Sequence, residues 1–439
     1  MMNITKHEVH LNLNVRGLPV SATLNINEQS NRLITEGKNV YKLGLGQSPF
    51  PVPQSIVKEL QNNAHQKDYL PVRGLPALCE AIAGYYRRSQ NLTISKEDVL
   101  IGPGSKELMF ILQLVYYGDL VIPTPSWVSY APQAHIIGRH VHWLQTEEGS
   151  NWLLSAQELD SFCSTDPDKP RIIVLNYPNN PTGCSYTDKQ LQELATVARK
   201  YRIILLSDEI YGELNFNGNH RSIARYYPEG TIIASGLSKW AGAGGWRLGS
   251  FAFPAELRWL SDAMAVVASE TFTATSAPIQ YAAVKAFQGG AEIEHYLVNC
   301  RRILAALTDW ICAKLASAGV VVARPDGAFY LLPDFEPLRG KLDKRGIKNS
   351  SSLCERLLQE TGVAILPGSS FGRPANELTA RIACVDFDGA KALAAAEQIG
   401  ADRELGDDFL ADYCEKVIVA TTKICEWLEI EDSNQLFGV

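Results

Sequence analysis

The sequence predicts an α/β protein whose central sheet is mostly parallel and is covered by helices on both faces. Three observations predict it. Short apolar runs recur along the chain, and each stops abruptly at polar, Gly or Pro residues. Segments with helical periodicity lie between them. The order strand, loop, helix, strand repeats, and parallel neighbours need such crossovers.

Five runs build the sheet. Residues 99–101 end in Gly102-Pro103-Gly104-Ser105-Lys106, and a helix is expected over 107–117. Residues 119–122 end in Pro123-Thr124-Pro125-Ser126-Trp127. The run 171–175 leads into NYPNNPTG, and 202–206 leads into Ser207-Asp208-Glu209-Ile210-Tyr211. The run 231–234 leads into Ser235-Gly236-Leu237-Ser238-Lys239. The later sequence mixes types, with helix expected at 304–317, strand at 319–322 and helix at 352–359. That mixture predicts a smaller α+β unit, closed by a long helical tail over 389–430.

A chain of 439 residues exceeds one ordinary core of roughly 100–200 residues. The reading is an N-terminal arm with part of a small domain (1–50), a large domain (51–310) and a small C-terminal domain (311–439). Hydrophobic residues make up 46% and charged residues 20%, the balance of a globular protein. The net charge of −7 excludes a basic nucleic-acid footprint. No apolar stretch reaches the roughly 18 residues of a membrane span. The first residues show no signal-peptide core, so a cytoplasmic protein is expected. Nine cysteines at irregular spacing, with no CxxC pair, argue against a disulfide framework and against zinc; no metal is expected.

The strand ends carry the chemistry. In open α/β sheets ligands bind beyond the carboxyl ends of the strands. The Gly104 turn before a helix is an anion site or a plain turn. Asp208 at a buried strand end needs a cation or protonated partner, or it caps a helix. Lys239 is a nucleophilic amine if desolvated and a solvated lysine if not. Arg247, eight positions on, offers a fork for phosphate or an ordinary salt bridge. Asn180 donates to a ligand or shapes its loop, and Trp127 stacks on a ring or fills core. Each bland reading wins alone; all of them at strand ends together favour one site. His140 and His142 alternate on a strand and read as structural, and Glu270 reads as a salt-bridge residue.

These residues, in this order, resemble the class I/II aminotransferase family of fold-type I pyridoxal 5′-phosphate (PLP) enzymes. The resemblance runs from Gly44 to about Asp386 through GQSPFPVP, KDYLPVRGLPALCEAIAGYY, PTPSWVSY, NYPNNPTG, SDEIYGEL, SGLSKWAGAGGWRLG and LPGSSFG…LTARIAC. It implies that Lys239 carries PLP as an aldimine and shuttles protons. Asp208 would pair with the pyridine nitrogen, and Asn180 and Tyr211 with the ring oxygen. Trp127 would stack on the ring. Gly104, Ser105, Lys106 and Arg247 would hold the phosphate, helped by Ser238 or Ser235. Tyr69 would reach the phosphate of a neighbouring subunit, implying a homodimer with shared sites. Arg381 would bind the substrate α-carboxylate, with the Gly46 backbone and Asn180 nearby. The implied reaction moves an amino group from an amino acid to a 2-oxo acid by a ping-pong route. A carbon–sulfur lyase or an aminocyclopropane-carboxylate-synthase-like enzyme on the same scaffold is the alternative. A PLP-binding sensor would carry a basic DNA-binding module, and none is found. Two departures stand out: Gly236 where many relatives have Ser, and Cys79 where Arg is usual.

Overall fold

The computed structural model describes residues 10–18 and 20–430. The outermost residues of the expected arm and of the expected C-terminal domain lie outside this range.

Among the described residues, twelve strands form three sheets. In chain order they are β1 (Tyr41–Lys42), β2 (Val99–Gly102), β3 (Asp119–Thr124), β4 (Val141–Gln145), β5 (Arg171–Asn176) and β6 (Ile204–Asp208). Then follow β7 (Thr231–Gly236), β8 (Gly249–Ala252), β9 (Tyr330–Leu331), β10 (Val363–Ala364), β11 (Leu366–Pro367) and β12 (Ala380–Ala383). The large sheet has seven strands in the order β2-β8-β7-β6-β5-β3-β4. The pairs from β7 through β4 are parallel, and β8 runs antiparallel to both its neighbours. The sheet is therefore mostly parallel, as expected.

Burial explains why these strands read as continuous apolar runs. Leu120 and Ile122 enter the core of one face with Ile172, Val174, Leu206 and Ile232. Their neighbours Val121, Ile173, Leu175 and Leu205 enter the core of the other face. Strands covered on both sides gain from an apolar residue at every position. The first face is covered by the helices Ser105–Val115, Tyr130–Ile136 and Arg258–Glu270. The second is covered by Ala156–Ser164 and Asp188–Lys200, whose starts carry capping boxes at Ser155 and Thr187.

The small sheets draw mostly on the later sequence, with β1 joining from the N-terminal part. β11, β12 and β9 form one antiparallel sheet, and β1 pairs in parallel with β10. The 27-residue helix Ala291–Ser317 shares its core with elements from both ends of the chain. It begins well before the expected position 304.

Two expectations fail. Residues 319–322 form no strand; only an isolated bridge joins Val321 to Asp334. The expected continuous tail helix is three helices, Gly389–Ile399, Asp407–Tyr413 and Glu415–Glu429. Gly400 ends the first with φ +85°, a conformation that only glycine adopts freely. All nine cysteines are free thiols. No helix of the described residues is long and apolar enough to cross a membrane.

Candidate active site

A cavity of about 500 Å³ opens beyond the carboxyl ends of β3, β5, β6 and β7. Its wall includes Gly46, Ser105, Lys106, Trp127, Asn180, Asp208, Tyr211, Ser238, Lys239, Arg247 and Arg381, drawn from well-separated parts of the chain. Gly104 flanks it. One residue expected in it does not reach it. Ser235 points to the other side of the sheet, into a separate cavity of about 380 Å³ with His220 and Trp240. Tyr69 stands 91% exposed on the surface.

Asp208 ends β6 and is 3% exposed. Burial pushes its carboxyl up to about 6, against the opposing effect of the Tyr130 hydrogen bond. The Tyr130 hydroxyl donates to Oδ2 at 2.6 Å. Oδ1 receives only a long bond, 3.4 Å, from the Ile210 N–H. A buried carboxylate with so few donors favours a proton-bearing or cationic group in the cavity. Asn176 fixes the loop behind it: its side chain donates to the Asp208 carbonyl at 2.9 Å and accepts from the Asn180 N–H at 2.8 Å.

Lys239 follows β7 through a tight turn. Its Nζ donates to the Gly46 carbonyl at 2.7 Å and lies 5.7 Å from the Tyr211 ring centroid. No carboxylate pairs with it among the described residues, so its amine faces the cavity beside aromatic carbon.

The opposite end of the cavity is cationic. The helix Ser105–Val115 directs its N-terminus there, where the first backbone N–H groups have no preceding helical turn to bond. Arg247, with φ +56°, lies across that turn and donates to the Gly244 and Pro103 carbonyls at 2.9 and 3.3 Å. Gly104 has φ +93°, and a Cβ there would come within 2.2 Å of Arg247 Nη2. Only glycine lets the arginine approach so closely. Lys106 is exposed at the cavity wall, with its Nζ 5.4 Å from the Trp127 ring centroid. Desolvation of its ammonium and the Arg247 charge hold it below the usual range. Gly236 also has a local reason: a Cβ there would meet the Leu248 carbonyl at 2.6 Å. A serine cannot enter this β7–β8 ladder unless the backbone moves.

Arg381 on β12 is 1% exposed. Nη1 donates to Asn180 Oδ1 at 3.0 Å, and Nη2 donates to the Gly44 carbonyl. Its Nε has no partner among the described residues. The guanidinium lies over the Tyr330 and Phe371 rings at 4.6 and 4.9 Å. A buried cation without a carboxylate is costly and is compensated by an anion supplied to the site.

Sequence reasoning passed over Tyr130, Asn176, Tyr330 and the short helix Ala22–Thr35, which brings Thr23 and Leu24 to the cavity mouth. Tyr130 and Asn176 lie inside the quoted segments PTPSWVSY and NYPNNPTG, so a signal was present. Glu270 is exposed at a helix end and does not line the cavity.

The arrangement fits PLP. It offers an amine, a buried acid for a ring nitrogen, a flat aromatic wall and an anion cradle. The family model for aminotransferase class I and II matches residues 38–399. An aspartate aminotransferase from Bacillus sp. (strain YM-2) is 32% identical over 370 residues, covering 82% of this chain and 91% of the relative. An asparagine–oxo-acid transaminase from Streptococcus mutans is 30% identical over 367 residues, covering 81% and 90%. The solved structure of Thermus thermophilus aspartate aminotransferase with maleate superposes with a TM-score of 0.81 at 25% identity. It covers 95% of this chain and 100% of that one.

Proposed function

The chain belongs to the class I and II aminotransferases, which are PLP-dependent enzymes, and on that premise we propose that it transfers the amino group of an acidic amino acid to a 2-oxo acid. One observation carries this reading: Lys239, Asp208 and Arg381, far apart in sequence, line one cavity. PLP, when bound, supplies an electron sink that makes the bond to the substrate's α-hydrogen weak. The remaining work falls to the chain. Lys239 would carry the cofactor, and its Nζ would be the base that takes the donor's α-proton. Gly46 holds that amine by its carbonyl. Asp208, anchored by Tyr130, keeps the ring nitrogen protonated. Tyr211 and Asn180 donate to the ring oxygen, and Trp127 covers the ring face. The backbone at Gly104, Ser105 and Lys106 grips the phosphate with Arg247 and Ser238.

Arg381 takes the α-carboxylate with its fork of donors. Lys106 makes no ion pair among the described residues and lines the same cavity. We assign its ammonium to the donor's distal carboxylate, in keeping with the aspartate aminotransferases that the chain resembles. The donor leaves as a 2-oxo acid before the acceptor binds, giving ping-pong kinetics.

The exposed Tyr69 supports a homodimer in which each copy completes the other's phosphate site. The domain reading, with residues 1–50 split between an arm and a small domain, gains support from the β1–β10 pairing. A cytoplasmic location belongs to the same proposal.

Titrating the holoenzyme with a panel of amino acids tests the function. Aspartate or glutamate should shift the cofactor's visible band, and the corresponding 2-oxo acid should restore it. Turnover without any 2-oxo acid, with release of ammonia or a thiol, would instead establish a lyase. Lys239→Ala should retain PLP noncovalently and lose nearly all transamination; wild-type turnover in that variant would overturn the assignment.

A further inference from the structure

Tyr330 has no role in the scheme above, although it lies at the centre of the site. It is 1% exposed, and its hydroxyl is 2.9 Å from that of Tyr211. Each phenol has one proton to give, so only one of the pair donates to the other. The surroundings decide which. The Gly46 backbone closes one side of Tyr330: a Cβ on Gly46 would lie 1.8 Å from its hydroxyl oxygen. The Arg381 guanidinium covers the Tyr330 ring at 4.6 Å, and a nearby cation strengthens an O–H donor. The Tyr211 oxygen is the hydrogen-bond partner that the Tyr330 hydroxyl has among the described residues.

We propose that Tyr330 is a positioning residue that donates to the Tyr211 hydroxyl and thereby aims the Tyr211 proton at the cofactor's ring oxygen. The inference rests on the reading of Tyr211 given above. It makes the two phenols a relay: Tyr330 to Tyr211 to the ring oxygen. Such chains polarise each link and strengthen the terminal donor. Burial, and then the neighbouring Tyr330, push the Tyr211 phenol above its ordinary range. The charged or titratable groups facing the pair are Arg381 on β12, Lys239 after β7 and Asp208 at the end of β6, with Tyr130 behind Asp208. Tyr330→Phe leaves all of them in place and keeps the ring under Arg381.

The measurement is the pH midpoint of the visible absorption band in holoenzyme. A weaker donor stabilises the ring-oxygen anion less, so Tyr330→Phe should raise the midpoint by about half a unit to one unit. Tyr211→Phe should raise it further. The double variant should match Tyr211→Phe alone, because Tyr330 acts only through Tyr211. An unmoved midpoint in Tyr330→Phe, or shifts that add in the double variant, would overturn the relay. Unchanged circular dichroism and Tm show that the variants fold. Should wild-type protein show no visible band dependent on Lys239, the reading of the site itself fails; a normal band with an unmoved midpoint defeats only the relay.

Discussion

Asp208 shows at the scale of one residue how function is set against stability. Its carboxyl is pushed up from the ordinary value of 3.8 to about 6, chiefly by burial. An acid raised on folding favours the folded state only while protonated. The cost therefore grows as pH climbs from about 4 to about 6 and is complete above that. A rise from 3.8 to about 6 corresponds to ~2–3 kcal/mol. Asp208→Asn apoenzyme should unfold at higher denaturant than wild type at pH 8, and the gap should close as pH falls below about 4. A gap that persisted in acid would show that something other than the buried charge is responsible. The same variant should lose most transamination, since an amide does not keep a ring nitrogen protonated. Asp208, Lys239 and Arg381 were legible in the sequence because short, order-preserving segments carry them. Tyr330 was not. Its importance comes from Tyr211 and Arg381, which are adjacent to it only in space.

Elements add constraints that single residues do not reveal. The segment 368–377 after β11 is clasped to the ends of β3 and β4 by Arg373. Nη1 donates to Thr124 Oγ1, Gln145 Oε1 and the Thr146 carbonyl at 3.3, 3.1 and 2.8 Å, while Glu377 takes Nε and Nη2 at 2.9 and 2.7 Å. The guanidinium stacks 4.6 Å from the Trp152 ring centroid. The clasp holds Phe371, whose carbonyl accepts from the Ser126 N–H at 2.9 Å and whose ring supports Arg381. Arg373→Ala should cost about 1–3 kcal/mol, as loss of a partly buried charged group and its hydrogen bonds does. It should also raise KM more than it lowers kcat, because Arg381 loses its support; an equal loss in both would count against that role. Gly236→Ala should cost about 1–3 kcal/mol by overpacking the β7–β8 ladder, measurable by denaturant unfolding. The helical tail was misread as one element because the break at 400–406, where Gly400 turns the chain, was not weighed as a stop.

For the whole molecule, the open question is what covers Tyr69. A side chain 91% exposed contributes nothing to its own cavity. The proposed homodimer predicts complementation. Tyr69→Ala and Lys239→Ala proteins should each be nearly inactive. Mixed after mild dissociation, they should recover about a quarter of wild-type activity, since half the dimers are hybrids with one intact site. No recovery, with hybrids verified by mass, would place Tyr69 outside the site.

The sequence by itself determined five of the seven strands of the large sheet, their order along the chain and the residue types at their ends. Those are local properties: apolar runs buried on both faces, glycine turns, and a lysine, an acid and an arginine in fixed company. Tertiary structure alone decided what depends on distance across the fold. It sent Ser235 to the far side of the sheet while Ser238 faces the site, and it seated Tyr130 on Asp208. It brought Tyr330 between Tyr211 and Arg381, and it left Tyr69 facing outward. Spacing along a chain fixes which face a residue takes within its own element. Only packing between elements fixes which residue it meets.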